Sequence, residues 1–139
     1  MDLYNLHTNQ KKLYGFDIIP FKAPKFAYKL ASTNPKLRPK LEPVIMKDPE
    51  CACLYALNVL ERRWPEAEPY IMKDPYSAYA YSWLVLKRRW PEAEPYIMKD
   101  PTNAYVYAKH VLKRRWPEAE PVIMKDQFWW REYKMKFDL

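Results

Sequence analysis

A 26-residue repeat constrains this chain more than any other feature of its 139 residues. Trp64, Trp90 and Trp116 each open the string Trp-Pro-Glu-Ala-Glu-Pro, and Ile-Met-Lys-Asp follows one residue later in each copy. A degenerate copy lies upstream, at residues 38–49. A period of this length is typical of solenoids, in which each unit buries its apolar face against its neighbours. We call three segments the first, second and third unit: residues 49–74, 75–100 and 101–126.

Each unit is expected to contain one long and one short helix. The first unit opens with Asp-Pro at residues 48–49, an N-cap acceptor followed by proline at the first helical position. A helical period then predicts a long helix over residues 49–63 and over its counterparts. The basic residues 62–63 would complete its last turn, where cations suit the helix dipole. Two prolines follow, so residues 65–68 should form a single turn and residues 69–73 a short helix.

One face of each long helix has nearly the same residues in every unit. In the first unit this face carries Ala52, Tyr55, Ala56, Val59 and Leu60, which are spaced as a single helical stripe. The small alanine at the first of these positions lets neighbouring helices approach closely. The sequence therefore predicts an all-α fold, a short right-handed α-solenoid of about four such units with capping ends.

The repeat region covers residues 36–126, and the chain on either side is expected to cap it. Residues 1–35 should form an irregular N-terminal cap, and a degenerate first helix is expected over residues 24–37. Residues 127–139 should form a C-terminal capping helix. Trp130 stands in it where the units have alanine, which suits a helix that packs against no further unit.

Composition argues against an enzyme. The chain has a single glycine, Gly15, so it cannot build glycine-rich phosphate loops or the turn that presents a nucleophilic serine. The glutamates of the repeated string recur in every unit, whereas a catalytic site needs one asymmetric set of groups. Cys51 and Cys53 point in different directions on a helix, so we expect two buried thiols, and we interpret His7 and His110 as incidental. We therefore predict no catalytic residue, no cofactor and no metal.

The formal net charge of +7 is concentrated in the N-terminal third. Residues 1–48 carry nine Lys and Arg against four Asp and Glu, whereas the units are close to neutral. Two arginines precede each repeated Trp, and together they could form a basic, aromatic ridge that binds nucleic acid. The alternative is that Trp fills the hinge between helices while Arg pairs with Glu, and the near-neutral units favour it. The ridge would consist of Arg62, Arg63, Arg88, Arg89, Arg114 and Arg115.

The repeated string also carries a family resemblance. Arg-Trp-Pro-Glu-Ala-Glu-Pro-Tyr-Ile-Met-Lys-Asp-Pro, followed by an Ala-Tyr-x-Tyr helix, resembles tandem repeats in uncharacterised proteins of tailed bacteriophages. The resemblance covers about residues 36–126, and residues 1–35 lie outside it. It implies a viral origin and expression in an infected bacterium, and it carries no activity and no site residues.

Positions that differ between the units are the most informative about function. They lie mainly on one face of the long helix, away from the constant stripe. Several carry large apolar side chains, such as Tyr76 and Trp83, which would mark an interface if they are exposed. Relaxed selection on a solvent-facing surface is the alternative. We call the following residues the variable face: Leu54, Leu57, Tyr76, Ala80, Trp83, Leu84, Thr102, Val106, Lys109 and His110.

These observations predict a non-enzymatic, phage-encoded protein-binding module that modulates or inhibits a host or anti-phage defence protein. The variable face would contact that protein or a second copy of the chain. The alternatives are nucleic-acid binding, through the N-terminal third and the Arg-Trp ridge, and a structural role in the virion. The sequence has no secretory signal and no apolar stretch that could span a bilayer. We therefore expect no membrane partner and a location in the cytoplasm of the infected bacterium.

Overall fold

The computed structural model describes residues 23–139, and every regular element in that range is helical. The prediction of an all-α fold is therefore confirmed. Residues 1–22, which make up most of the expected N-terminal cap, lie outside the described range. The α-helices are α1 Pro24–Thr33, α2 Arg38–Ile45, α3 Pro49–Tyr55, α4 Glu68–Ile71, α5 Pro75–Tyr81, α6 Glu94–Ile97, α7 Pro101–Tyr107, α8 Glu120–Ile123 and α9 Gln127–Phe137.

Helices α3, α5 and α7 open the three units, and each continues into a π-helical turn. We call each of these helices, together with its π-helical turn, the long helix of its unit. The side chain of Asp48 accepts a hydrogen bond from the N–H of Cys51, and the aspartates before the other two units cap α5 and α7 in the same way. The predicted Asp-Pro N-cap is therefore confirmed. The π-helical turns are Ala56–Leu60, Ser82–Leu86 and Ala108–Leu112.

The long helices end earlier than the periodicity predicts. The prediction of a helix to residue 63 in the first unit is wrong, because the helix stops at Leu60 and Glu61 adopts the left-handed conformation at φ 52°. The N–H of Arg62 then donates to the carbonyl of Ala56 at 3.2 Å and closes the last turn. The arginine pairs therefore follow the long helices and do not lie in their last turns.

The second half of each unit agrees with the prediction of a turn and a short helix. Residues 65–67 form the turn, and α4 follows it one residue earlier than expected. Helices α6 and α8 follow equivalent 3₁₀ turns at Pro91–Ala93 and Pro117–Ala119. Proline at the second residue of each short helix is tolerated, because N–H groups in the first turn have no partner within the helix.

The units stack through their long helices. Helix α3 packs on α5, α5 on α7 and α7 on α9, while each short helix packs against the long helices on both sides of it in the chain. Ala52, Ala78 and Ala104 are fully buried in this stack, as expected for small residues that let helices approach. The helix packing thus repeats from unit to unit, and a right-handed α-solenoid stays a prediction.

The degenerate first copy departs from the later units. Helix α1 ends at Thr33 and does not reach residue 37, because Pro35 keeps Asn34 out of the helical conformation, at φ −131° and ψ 83°. A 3₁₀ helix over Pro35–Leu37 then leads directly into α2. The first copy therefore has a longer second helix in place of the Trp-Pro turn.

Helix α9 occupies the opposite end of the stack. Its Arg131 stands where the second and third units carry Tyr79 and Tyr105, which are buried against the unit that follows. The side chain of Arg131 is 66% exposed instead. Trp130 is half-buried and stacks on Tyr133 with ring centroids 5.6 Å apart. An exposed charge at the position that elsewhere receives the next unit suits a terminal cap.

Candidate functional site

The repeated string builds a polar junction between successive units. The backbone N–H of Trp64 donates a hydrogen bond of 2.7 Å to the hydroxyl oxygen of Tyr81 in the next unit. That hydroxyl donates in turn to Oε1 of Glu68 at 3.0 Å. Arg63 holds the same carboxylate through two bonds, of 2.6 and 2.9 Å. Groups from two units therefore belong to one connected network.

The junction recurs along the chain. Two later copies connect the second unit to the third and the third unit to α9, while the degenerate first copy retains the 2.8 Å bond from Tyr55 to Glu42. Burial raises the pKa of Tyr81, so the hydroxyl stays protonated and can donate. Burial also opposes ionisation of Glu68, but hydrogen bonds from Arg63 and Tyr81 outweigh it and lower the pKa of this carboxyl.

The tryptophans of the repeated string are core residues. Trp64, Trp90 and Trp116 are at most 3% exposed, and each packs against the junction tyrosine of its own unit with ring centroids 5.0 to 5.2 Å apart. They cannot stack on nucleic-acid bases from these positions. The interpretation in which Trp fills the hinge is confirmed.

The predicted arginine ridge divides into two sets. Arg63 binds Glu68, and Arg89 and Arg115 bind their own glutamates in the same way. The charges of these three guanidiniums are therefore largely balanced within the chain, and the six-arginine ridge stays a prediction. The first arginine of each pair is exposed and forms no salt bridge within residues 23–139: Arg62, Arg88 and Arg114.

The variable face exposes four large apolar side chains. Tyr76 is 61% exposed, Trp83 is 43% exposed, and Leu54 and Leu84 are each 37% exposed. Ala80 is 9% exposed, so it offers little surface of its own. The other members are half-buried: Leu57, Thr102, Val106, Lys109 and His110.

An aromatic stack holds Trp83 across the second and third units. Its indole lies on the imidazole of His110, with centroids 4.6 Å apart and 14° between the planes. Tyr79 stacks against both rings, and its hydroxyl oxygen lies 2.6 Å from Nδ1 of His110. Burial, followed by the charges of Lys109 and Lys136, lowers the pKa of His110 and keeps its ring neutral at pH 7. His110 therefore packs between the second and third units.

In the third unit, a lysine replaces the tryptophan found at position 83 of the second unit. Lys109 is the counterpart there, and its ammonium lies over the ring of Tyr105, 5.8 Å from the centroid. Tyr105 is itself the counterpart of Tyr79. The scaffold thus accepts either an aromatic ring or a cation above a retained tyrosine.

A mostly apolar groove runs between the long helices of the first and second units. Exposed members of the variable face form its walls, and we call it the apolar groove. Its lining residues are Glu50, Cys53, Leu54, Leu57, Tyr76, Ser77, Ala80 and Leu84.

A second groove, of about 320 Å³, lies near the C-terminal ends of the long helices of the second and third units. Among the described residues its lining has three cations and no carboxylate, and we call it the basic groove. Lys87 and Lys113 in its lining are the left-handed residues that end these helices. The comparison of units missed both lysines, although their counterpart Glu61 shows that the charge at this repeat position changes. The lining residues are Ser82, Trp83, Lys87, Arg88, His110, Val111 and Lys113.

No family model, curated protein or solved structure matches the chain. The bacteriophage resemblance therefore stays a prediction. Within residues 23–139, no helix is long and apolar enough to cross a membrane, and no three His, Cys, Asp or Glu side chains converge as metal ligands would. Cys51 and Cys53 are free and buried, as predicted, and burial raises their pKa values to about 11 and about 12. Thiols protonated to this extent are poor nucleophiles.

Proposed function

We propose that this chain is a non-enzymatic protein-binding repeat module. The observation that carries the proposal is the exposure of four large apolar side chains on the first two units, beside a groove that they line in part. Their apolar area stays in water in the free chain, and a protein surface that covers it gains roughly 25 cal/mol per Å². Such clusters are typical of protein interfaces. The four side chains are Leu54, Tyr76, Trp83 and Leu84.

The division between constant and variable residues supports the proposal. Arg63, Trp64, Glu68 and Tyr81 have their hydrogen-bonding groups engaged in the junction between two units. The exposed members of the variable face take no part in these hydrogen-bonded junctions, so they can change without breaking them. A constant framework with an adaptable outer surface is how repeat proteins present extended binding surfaces.

The resemblance to phage repeats supports a particular setting for this module. A host or anti-phage defence protein in the cytoplasm of an infected bacterium would be the partner, and the module would modulate or inhibit it by covering a surface. A structural component of the virion would instead bury the same face against another viral protein. Self-association would bury it against a second copy of this chain.

Substitution of Trp83 by lysine tests the proposal. The third unit already has lysine at this position, so the new side chain can lie over Tyr79 as Lys109 lies over Tyr105. Loss of the stack on His110 should cost about 0.5–1.5 kcal/mol and leave the helical spectrum intact. Loss of an aromatic anchor should reduce partner capture by about tenfold or more. The measurement is affinity capture from nuclease-treated lysates of infected bacteria, quantified by mass spectrometry.

Tyr70→Lys is the matched control. It also replaces an exposed aromatic ring by lysine, but on short helix α4, away from the variable face. This variant should capture the same protein as the wild type does. Equal capture by wild type and Trp83→Lys would contradict the proposal, and capture abolished by nuclease would favour the nucleic-acid alternative. Light scattering on the purified chain measures self-association, and it therefore distinguishes a second copy of this chain from a different protein as the partner.

A further inference from the structure

We infer that the partner segment is an acidic, apolar stretch of polypeptide whose apolar side chains enter the apolar groove and whose carboxylates face the basic groove. This inference rests on the proposed function and gives the chemistry of the partner. Its support comes from the pairing of charges, from the backbone at the helix ends and from the position of the two grooves.

The cations of the basic groove have no ion-pair partner in the part of the chain that the structure describes, although Lys87 also lines a neighbouring groove that contains Glu61. Lys87, Arg88 and Lys113 form no salt bridge with any of residues 23–139. Burial and hydrogen bonds have the largest effects on the pKa of Glu68. The charge of Arg88 has a smaller effect and lowers this pKa further. Arg63 already engages both of its oxygens, however. Three positive charges therefore face one groove, and a carboxylate group brought there would meet no competing acid in the lining.

The backbone at the helix ends favours a functional use of the lysines. Lys87 and Lys113 both lie at φ 54°, a region in which glycine would avoid the steric cost of a Cβ atom. Glu61 occupies the same conformation in the first unit, at φ 52°. The chain thus retains a long side chain at a strained position, and the second and third units use it to bring a cation to the groove.

The two grooves border one helix. Leu84 lines the apolar groove and the adjacent Trp83 lines the basic groove, and both belong to the long helix of the second unit. A segment that crosses this helix meets apolar walls on one side and cations on the other. Apolar side chains followed by carboxylates match both parts of this surface.

A single-stranded nucleic acid matches only part of the same surface. Its phosphates could approach Lys87, Arg88 and Lys113, and a base could stack on the exposed indole of Trp83. The apolar groove would then remain in water. The observations therefore favour a polypeptide.

Selection from a displayed library of random peptides of about 16 residues, with the full-length chain immobilised, tests the inference. Enriched peptides should carry net negative charge together with large apolar side chains, and their binding should weaken at high salt. The double variant Lys87→Gln/Lys113→Gln should lower their affinity about tenfold, through the loss of two partly exposed charge pairs. The matched control Lys73→Gln/Lys125→Gln removes the same charge from two other exposed lysines and should bind as the wild type does.

The outcomes separate the inference from the proposed function. Neutral or basic peptides whose binding still needs Trp83 would overturn the inference and leave the proposed function standing. Failure to enrich any peptide would also overturn it, while capture with Trp83→Lys still decides the proposed function. Acidic peptides that bind Trp83→Leu, a variant that adds no charge to the basic groove, as well as the wild type would contradict both. Salt-sensitive binding of oligo(dT), tighter than that of the selected peptides, would replace the inference by nucleic-acid recognition.

Discussion

Each long helix ends on a residue whose backbone is strained. Glu61, Lys87 and Lys113 lie at φ 52° to 54°, where a residue with a Cβ atom costs about 1 kcal/mol or more. The only glycine of the chain, Gly15, lies elsewhere. Periodicity could not locate these helix ends, because glycine is the usual marker of a left-handed C-terminal residue and is missing here.

Lys87→Gly should stabilise the protein. Glycine relieves the strain at φ 54°, and although it also loses more backbone entropy on folding, the expected net gain is about 0.5–1 kcal/mol in the free energy of unfolding. Urea denaturation measures the change. Arg88→Gly, one residue further on, has no left-handed conformation to relieve and should not stabilise. Equal effects of the two variants would contradict the argument from strain.

Glu68 should make stability depend on acidity. Burial alone would raise its pKa, but hydrogen bonds from Arg63 and Tyr81 outweigh burial and lower it from the usual 4.5. Glu68 therefore binds a proton more readily in the unfolded chain than in the folded one. Its contribution to the free energy of unfolding is complete above the unfolded pKa and is lost as pH falls through the folded pKa. The stability difference between wild type and Glu68→Gln, about 1–2 kcal/mol at neutral pH, should shrink on acidification. Urea titrations between about pH 6 and pH 3 measure this difference, and a difference that stays constant or grows on acidification would contradict the role of Glu68.

The pairing of Arg with Glu follows from the sequence, and the finer details do not. Arg63 selects Glu68 and leaves Glu66 exposed, because the turn after Trp64 directs one carboxylate inward and the other to solvent. The bond from Tyr81 to Glu68 spans 13 residues and two units. This hydrogen bond forms only at a particular rotation between the two units, and no local sequence pattern predicts that rotation.

At the scale of elements, the junction tyrosine ties one unit to the next. Tyr81→Phe removes the acceptor for the buried N–H of Trp64 and a donor to Glu68, while the ring and its packing stay in place. We expect a loss of about 1–3 kcal/mol in the free energy of unfolding. Tyr76→Phe, at an exposed ring, should change stability little. Similar melting temperatures for the two variants would show that the hydroxyl of Tyr81 does not link the units.

Helix starts could be predicted from the sequence and helix ends could not. The N-caps follow from short-range chemistry, since Asp48 bonds an N–H three residues away in its own chain segment. The π-helical turn over Ala56–Leu60 leaves no such mark, because its residues continue the same apolar pattern as the α-helix before it. The side chains of the constant stripe could be predicted for the same reason, because the stripe depends only on residue spacing within one helix.

At the scale of the whole molecule, stability should grow with the number of junctions. Insertion of a second copy of residues 75–100 after Asp100 recreates an Asp-Pro boundary and adds one complete junction. In a stack of nearest-neighbour units, this insertion should raise the melting temperature and keep unfolding cooperative. Calorimetry measures both. A chain that melts lower, or in two separate steps, would show that the units do not stabilise one another in this way.

The candidate surface was predictable in part at this scale. Differences between the copies identified Tyr76, Trp83 and Leu84 as outer residues, and all three are exposed. The same comparison could not reveal that Trp83 lies on His110, since that contact joins two units. Nor could it reveal that Lys87 enters the adjoining groove, which the left-handed helix end determines.

The central claim is that constant residues hold the units together while variable residues bind a partner, and one crossed comparison tests it. Tyr81→Phe and Trp83→Lys are compared for partner capture at a temperature where circular dichroism shows both to be folded. Tyr81→Phe should melt lower yet capture the partner as the wild type does, because the junction is internal. Trp83→Lys should lose only about 0.5–1.5 kcal/mol of stability yet capture at least about tenfold less partner. Equal capture by the two variants, or a greater loss with Tyr81→Phe, would show that framework and binding surface are not separate.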